Sequence, residues 1–304
     1  MKQSVCKFTL FLAALLCAAL LCAAASCCPT DRAAAEVVVM GFVPSEDAQI
    51  IGESGEELVE ILGRMTGLRI RAYVLSSYMT VVSAMRTGDV DVGWLPPLAA
   101  VRAEDRGWGV IKLKAVRRGN PFYYGSIIVR TDSGIESVGD LRGKAMAWGD
   151  FNSFSGHIFP KFGLISMGIY TDDFFASERF LGSHYSVVVS VLNGQVDAGA
   201  VFSNNTEGND GAWTQMLTDP ERQRQITAIF YTDPIPGDTV SLSSGFWNGR
   251  REDARAILEA IQELHHDPVG GEILMELYHI SRMIPAASVE YDVVRIAADS
   301  VLRE

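Results

Sequence analysis

The sequence predicts an α/β protein with two lobes, whose sheets are mixed but mostly parallel and are covered by helices. Three observations support this prediction. Strand-like apolar segments alternate with amphipathic helical segments from Glu36 onward, an order that is typical of parallel sheets. A second series of the same kind begins at Tyr123. Two stretches, AMRTGDVDVGWLPPL and VLNGQVDAGAVFSNN, share one order of helix end, tight turn, buried strand and turn.

The first series contains three predicted strands and two predicted helices. The strands are EVVVMGFVP, the alternating LRIRAYVL and the buried VDVGWL. The helices are AQIIGESGEELVEILGRMTG, closed by Gly67, and the short amphipathic SYMTVVSAMRTGD. The order is therefore βαβαβ, with helices that can cover a parallel sheet.

The second series follows the same logic. Its predicted strands are YYGSIIVR, KAMAWG, FFASERFLG and VDAGAVFS, and its helices are IESVGDLRG, SFSGHIFPKFGLISMG and SHYSVVVSVLNGQ. The segment ITAIFYTDPIP then returns toward the first region, and residues 250–304 are mostly helical by pattern. We predict one lobe from residues 36–124 plus 235–304 and a second from residues 125–234, joined near Tyr124 and Pro234.

The N-terminal 28 residues are predicted to be an export signal. Lys2 and Lys7 precede the apolar run TLFLAALLCAALLCAAA, which has no acidic residue. A transmembrane anchor is the alternative, because the run approaches the length that a bilayer needs. Ala24-Ala25-Ser26-Cys27 resembles a lipoprotein signal, with alanine where leucine is usual, whereas Ala33-Ala34-Ala35 resembles an ordinary signal-peptidase site.

Cysteine usage and charge limit the possible functions. All five cysteines lie within residues 6–28, so the exported body has neither a disulfide framework nor a cysteine nucleophile or cysteine metal site. The 304 residues suit two domains of ordinary size, and the formal charge is −11. Such a surface offers no electrostatic footprint for nucleic acid or anionic lipid.

The stretch GDFNSFSGHIFP, residues 149–160, is the strongest candidate binding motif. Ser153, Phe154, Ser155 and Gly156 begin a predicted helix, where free backbone N–H groups and hydroxyls can bind an anion without a basic side chain. Simple helix capping by serine is the alternative. Pro160 predicts that the helix kinks or restarts just after its first turn.

Other candidate side chains lie at helix starts and loop ends. His184 begins the helix SHYSVVVSVLNG and could donate to an anion, or could be a surface histidine. Glu207 and Asp238 lie in polar loops and could meet a cationic group, or could be solvated turn residues. Aromatic residues at the same loop ends could line a cleft: Tyr78, Trp94, Tyr123, Tyr124 and Trp148.

The sequence contains no recognisable motif for catalysis or for metal binding. It contains no G-x-S-x-G elbow, no P-loop and no spacing that indicates a Ser/His/Asp triad. No second histidine stands at metal-ligand spacing from His184, and His265-His266 is exposed helix by pattern. We therefore predict no catalytic residue, no metal and no cofactor.

Taken together, six stretches resemble the periplasmic phosphonate- and phosphite-binding proteins of ABC transporters. They are GFVPSEDA, YMTVVSAMRTGDVDVGWLPPLA, YYGSIIVRTDSGIESVGDLRGK, GDFNSFSG, GSHYSVVVSVLNGQVDAG and YTDPIPGD, and they cover most of residues 39–240. The resemblance implies the type II periplasmic-binding-protein fold, with a ligand cleft between two lobes. It also implies an ABC permease and its ATPase as partners, and a periplasmic location or one at the outer face of the cytoplasmic membrane.

The resemblance assigns a role to each matched residue. Tyr78 and Tyr124 would donate hydroxyls to the anion, and His184 would complete the cage formed around it by Ser153 and Ser155. In family members that take aminophosphonates, acidic residues at positions such as those of Glu207 and Asp238 meet the amine of the ligand. That role would make both residues ligand-binding here.

Phe154 departs from the pattern of the family, which usually reads S-T-S-G at this point. The phenylalanine keeps its backbone N–H, loses a hydroxyl donor and adds bulk. This departure predicts weaker binding, a smaller anion, or a different ligand whose apolar part faces the ring. Alternatives to a phosphonate are phosphite, a sulfonate or a thiamine-like precursor, and alternatives to transport are a sensory binding module or an enzyme on the same fold.

Overall fold

The computed structural model describes residues 37–44 and 48–302, and these residues form two six-stranded sheets. The predicted export signal at residues 1–28, the candidate lipidation site Cys27 and the alternative cleavage site near Ala35 lie outside the described residues. Within the described part of the chain, no helix is both long enough and apolar enough to cross a membrane.

The first sheet combines strands from both ends of the described chain. Its members are β1 (Val38–Phe42), β2 (Ile70–Val74), β3 (Val92–Leu95), β4 (Gly109–Val116), β11 (Thr239–Ser243) and β12 (Arg282–Pro285). Their order across the sheet is β12-β4-β11-β3-β1-β2. The members of the second sheet are β5 (Phe122–Arg130), β6 (Ala145–Trp148), β7 (Ser177–Phe180), β8 (Ala198–Ser203), β9 (Ile226–Tyr231) and β10 (Ile235–Pro236). Their order is β10-β5-β8-β6-β7, with β9 also paired to β5.

Both sheets are mixed, as predicted, but parallel pairs do not dominate. Among the described strands four pairings are parallel and six are antiparallel. The prediction of mostly parallel sheets is therefore wrong. The parallel pairs are the βαβ units, whereas every pairing of β4, β5, β11 or β12 is antiparallel. Strands β4, β5 and β11 lie directly beside the two points where the chain changes sheet, between β4 and β5 and between β10 and β11. Strand β12 comes from the C-terminal segment that follows the second of these points.

Helices pack against the strands of both sheets. They are α1 (Ala48–Thr66), α2 (Tyr78–Thr87), α3 (Pro97–Asp105), α4 (Phe159–Ser166), α5 (His184–Leu192), α6 (Ala212–Met216), α7 (Pro220–Gln223), α8 (Ser244–Gly249), α9 (Arg251–Glu263), α10 (Pro268–Tyr278) and α11 (Asp292–Leu302). The predicted closure of the first helix is confirmed, because α1 ends at Thr66 and Gly67 has a φ of +70°, which glycine adopts without strain.

The two similar stretches, AMRTGDVDVGWLPPL and VLNGQVDAGAVFSNN, and the helices that lead into them have the same local contacts. Ser77 caps α2 through an Oγ that accepts from Thr80 N at 3.2 Å, and Ser183 caps α5 in the same way. Asp91 Oδ2 accepts from Val39 N at 2.9 Å, and Asp197 Oδ2 accepts from Ala145 N at 2.7 Å. In each case an aspartate just before a buried strand ties it to the neighbouring strand. The repeat in the sequence is thus a repeat in the structure.

The chain passes between the sheets twice, between β4 and β5 and between β10 and β11. The two passages lie side by side, since Gly237 N donates to Pro121 O at 2.9 Å. A Cβ on Gly237 would stand 2.3 Å from Ala115 O, so only glycine allows this approach. Because β5 begins at Phe122 and β10 contains Ile235, sheet membership changes within a few residues of the predicted lobe boundaries.

Apolar packing joins the two halves of the protein. Phe154, Ile158 and Phe159, from the segment after β6, belong to the same buried cluster as the core of the first sheet. The C-terminal helix α11 also packs against Phe154–Ile158 and against α4. The candidate serine motif is therefore held between the two halves of the protein.

Candidate ligand-binding site

A cavity of about 710 Å³, including its open mouth, lies where the two halves meet. Residues from both halves line it: Val43, Tyr78, Trp94, Leu95, Pro96, Arg117, Tyr123, Ser153, Phe154, Ser155, His184, Phe202, Asn204, Gln215, Asp238, Thr239, Tyr278, His279, Ile280 and Met283. Six of the eight residues selected from the sequence are among them. Tyr124 and Glu207 are not.

Several helices begin at this cavity. Tyr78 is the first residue of α2, His184 is the first residue of α5, and Pro96 immediately precedes α3. Ser153 caps the helical segment that continues into α4. Helix N-termini present unpaired N–H groups and carry partial positive charge. These helix starts give the lining groups that attract an anion and that do not depend on a basic side chain.

Ser153 caps a helical segment and also lies in the cavity lining. Its Oγ accepts from Gly156 N at 3.0 Å, which is a capping contact, and the residue also lines the cavity with Ser155. Gly156 permits this arrangement, since a Cβ there would stand 2.9 Å from both Ser153 Oγ and His184 Cε1. The glycine thus brings the serine loop against the histidine.

The predicted irregularity at Pro160 is present in the structure. Phe154–Ile158 forms a π-helical turn, and α4 starts at Phe159 with Pro160 in its first turn. Proline has no N–H to donate, so the hydrogen-bonding pattern is reset at this point. Such π turns are frequent at functional sites.

His184 is buried, not a surface residue, and its imidazole faces the cavity. Its ring contacts the edge of Phe202 at 5.1 Å between centroids, and its Nδ1 has no hydrogen-bond partner. Burial lowers the pKa of His184 to about 4, so the ring is neutral at pH 7. A neutral imidazole can still donate one N–H to an anion.

The structure places Tyr123, and not Tyr124, in the cavity lining. Neighbouring strand residues point to opposite faces, so only one of the pair can line the cavity. Tyr123 OH lies 3.4 Å from Asp238 Oδ1, while Tyr124 packs edge-on against Phe122. Burial, with Asp238 close by, raises the pKa of Tyr123 well above its ordinary value, so its hydroxyl remains a donor.

The two candidate carboxylates lie in different environments. Glu207 is exposed and lies outside the lining; burial raises the pKa of Tyr231, and the negative charge of Glu207 raises it further. Asp238 lines the cavity, but its Oδ2 accepts from Arg117 Nη2 at 2.6 Å. Its charge is therefore compensated within the protein. The lining contains no carboxylate besides Asp238.

The sequence-based selection named His184 and Trp94 but missed Asn204 and Gln215, which the cavity identifies by their unsatisfied polar atoms. Among the described residues, five buried side-chain polar atoms lack a hydrogen-bond partner, and four belong to cavity-lining residues. These four are Trp94 Nε1, His184 Nδ1, Asn204 Oδ1 and Gln215 Oε1. Buried polar groups are normally paired, because an unpaired one costs about 1–3 kcal/mol. Their concentration at one cavity indicates a polar ligand.

Buried histidines give stability a pH dependence. Burial lowers the pKa of His157, whose Nδ1 lies 2.8 Å from Phe151 O, to about 4, the same as for His184. Between pH 6.5 and 4 the unfolded chain binds more protons, so the free energy of unfolding should fall as the pH falls, by about 1.4 kcal/mol per pH unit for each histidine. Urea titrations at several pH values should show His157→Phe with a shallower dependence. An unchanged slope in this variant would contradict the prediction.

Metal binding has no support in the described residues. Nowhere in residues 37–44 and 48–302 do three or more histidine, cysteine, aspartate or glutamate side chains come together as a metal site. The arrangement can hold an oxyanion through neutral donors, namely hydroxyls, ring N–H groups and helix N-termini.

Comparison with known proteins places the chain in a family. Residues 40–291 match the family described as "ABC transporter, phosphonate, periplasmic substrate-binding protein". The chain belongs to this family. The resemblance inferred from the sequence motifs is thereby confirmed.

Curated proteins that resemble the chain come from several bacteria. The phosphonates-binding periplasmic protein of Escherichia coli is 29% identical over 206 residues, covering 66% of this chain and 59% of that protein. The phosphate-import protein PhnD of Mycolicibacterium smegmatis is 30% identical over 218 residues, covering 68% of this chain and 66% of the relative. The match thus spans less than two thirds of the length of either curated relative.

A solved structure supports the same fold. A binding-protein component of an ABC phosphonate transporter from Pseudomonas aeruginosa superposes with a TM-score of 0.76 at 23% identity, covering 88% of this chain and 87% of that one. The expected two-lobed periplasmic-binding-protein fold is confirmed.

Proposed function

We propose that the protein is the exported solute-binding component of an ABC importer and captures a small phosphonate-type oxyanion. The observation that carries this proposal is the group of four unsatisfied polar atoms in a cavity where helices begin. Ser153, Ser155, Tyr78, Tyr123 and His184 supply the donors of the anion site. The ligand then passes to a permease that is driven by its ATPase.

Neutral donors suit a transport protein that must release its ligand. The formal charge of the chain is −11, and the two charged side chains in the lining, Arg117 and Asp238, pair with each other. The anion is therefore attracted by local dipoles and not by the overall field. No group in this arrangement is needed for a chemical step.

Closure of the two lobes, with boundaries near Tyr124 and Pro234, is the proposed mechanism. Arg118, next to the first passage between the sheets, pairs with the buried Asp210 at 2.9 Å. Arg102 on α3 donates to Asn152 in the serine loop. These contacts stabilise the closed form, and a ligand that binds this form better shifts the population toward it.

The N-terminal sequence supports export and a possible tether. We propose that residues 1–28 direct export to the periplasm, or to the outer face of the membrane through a lipid on Cys27. Mass spectrometry of protein from the native host would distinguish lipidated Cys27 from cleavage near Ala35.

The proposal is tested by thermal unfolding of protein refolded free of carried-over ligand. The panel contains phosphate, phosphite, methylphosphonate, 2-aminoethylphosphonate, sulfate and taurine. A ligand at one hundred times its dissociation constant adds about 2.7 kcal/mol of stability. We expect shifts with phosphorus oxyanions and none with sulfate or taurine. Shifts with no phosphorus oxyanion, or turnover of a phosphonate, would refute the proposal.

A further inference from the structure

Two amide side chains at the cavity are held in one orientation by a buried carboxylate. Asn204 Nδ2 and Gln215 Nε2 donate to Asp210 Oδ1 at 3.1 and 2.7 Å. A carboxylate only accepts hydrogen bonds, so it fixes which end of each amide faces it. The NH₂ groups point to Asp210, and the two carbonyl oxygens are left for the cavity.

Both carbonyl oxygens are buried and unpaired. Asn204 Oδ1 and Gln215 Oε1 have no hydrogen-bond partner, and both residues line the cavity. Asn204 is only 5% exposed, so solvent does not readily replace the missing donor. Asp210 is itself 2% exposed and is anchored by Arg118, whose guanidinium lies 2.9 Å from Oδ2. The two oxygens thus form a rigid pair of acceptors.

This acceptor pair differs in chemistry from the residues of the lining that lie at helix starts. Helices begin at Ser153, Tyr78 and His184, whereas the end of α10 is already occupied, because Arg117 Nε donates to Tyr278 O at 2.9 Å. Burial lowers the pKa of His279, and the nearby charges of Arg117, Asp210 and Arg118 also act on it. The lining therefore contains donors at the helix starts and, in the oxygens of Asn204 and Gln215, two unpaired acceptors.

Charge compensation of the carboxylates Asp210 and Asp238 argues against a cationic ligand group. Asp210 is paired with Arg118 and Asp238 is paired with Arg117, so each carboxylate already has a guanidinium partner. Glu207 is exposed and outside the lining. An ammonium group would lose its hydration and gain no uncompensated negative charge. A neutral hydroxyl or N–H would lose less hydration and would still satisfy the carbonyl oxygens.

We infer that Asn204 Oδ1 and Gln215 Oε1 form a specificity subsite for a phosphonate whose organic substituent carries a neutral hydrogen-bond donor, such as a hydroxyl. This inference rests on the proposed oxyanion-binding function and deepens it. Asp210 acts as a positioning residue, since it orients both amides and does not contact the ligand. The subsite selects against a plain alkyl group, which leaves the carbonyl oxygens unpaired, and against an ammonium group.

The test uses three phosphonates that differ only in the terminal group. Isothermal titration with ethylphosphonate, 2-hydroxyethylphosphonate and 2-aminoethylphosphonate should show the hydroxyl compound binding about tenfold tighter than either other ligand. Gln215→Met keeps the side-chain length and removes one acceptor, so it should reduce this preference to about threefold or less. Its matched control is Gln223→Met, outside the lining, where the amide donates to Thr214 O and Leu217 O.

Each outcome separates the subsite from the function that it serves. Equal or tighter binding of ethylphosphonate, or tightest binding of 2-aminoethylphosphonate, would overturn the subsite and leave oxyanion capture intact. A preference that survives Gln215→Met unchanged would overturn the assignment to this residue pair. Binding of no phosphonate, phosphate or phosphite would overturn the proposed function together with the inference. Because the wild-type ratios decide the first point, a poorly folded variant does not remove the test.

Discussion

Replacement of His184 by phenylalanine should weaken phosphonate binding by about 10- to 100-fold without lowering the stability of the unliganded protein. A hydrogen bond to a charged group contributes about 1.5–3 kcal/mol, and each 1.4 kcal/mol is a tenfold change in affinity. Phenylalanine keeps a ring against Phe202 and removes the unpaired Nδ1. Removal of an unsatisfied buried atom should leave the free energy of unfolding unchanged or slightly higher.

The matched control for this variant is His157→Phe. His157 is also buried, and it lies in the helical segment after Ser153, but its Nδ1 is paired with Phe151 O and it does not line the cavity. We expect titration with methylphosphonate to show wild-type affinity for His157→Phe. Equal losses in the two variants would mean that His184 acts through local packing and not through its ring nitrogen.

Local patterns in the sequence predicted the parts of the site that depend on local structure. Ser153, Ser155 and His184 stand at helix starts, and a helix start is readable from capping residues before an apolar period. The same signal located Tyr78 at the start of α2. The structure places Tyr78, Ser153, Ser155 and His184 in the lining of one cavity, because the helices that they begin start there.

Which residues of a strand face the cavity is harder to predict than a helix start when the strand begins just after the chain has changed sheet. Tyr123 and Tyr124 are chemically identical neighbours, and which one faces the cavity depends on how β5 leaves the passage after β4. A one-residue shift exchanges the two faces. Strand β4, which the sequence analysis did not assign, does alternate in GVIKLKAV, with burial that follows the same period over most of its length. That signal could have been found.

Pairing between distant residues was not readable from the sequence. The ion pair of Asp238 joins it to Arg117, 121 positions away, so its compensated charge depends on the tertiary structure. The orientation of Asn204 and Gln215 likewise depends on Asp210 accepting from both amides. A loop of asparagine, glutamate and aspartate residues offers several acids, and only folding determines which one is buried.

Truncation of Phe154 to alanine should lower the free energy of unfolding by about 3–5 kcal/mol. The side chain is 1% exposed and stacks on Phe159, with 4.8 Å between ring centroids and 20° between planes. It belongs to the buried cluster that contains the core of the first sheet, although it comes from the segment after β6. Its loss therefore leaves a void between the two halves, which urea titration of the unliganded protein would measure.

Phe151→Ala is the control for this truncation. Phe151 lies three positions earlier and is 51% exposed, so its removal should cost about 1 kcal/mol or less. A loss below about 1 kcal/mol in Phe154→Ala as well would show that the ring is not part of the core that joins the halves. Small-angle scattering of the two variants would show whether the loss of Phe154 also opens the cleft.

Phe154→Thr separates the packing of the ring from the hydroxyl that threonine supplies in the resembled family. Both Phe154→Ala and Phe154→Thr remove the ring, so both should lose stability to a similar extent. Only threonine adds a donor beside Ser153 and Ser155, so its affinity for methylphosphonate should exceed that of the alanine variant by about tenfold. Equal affinities would mean that a hydroxyl at this position does not reach the anion. A higher affinity of Phe154→Thr than of Phe154→Ala would show that a hydroxyl at this position reaches the anion, so Phe154 contributes packing where threonine would contribute a hydrogen bond.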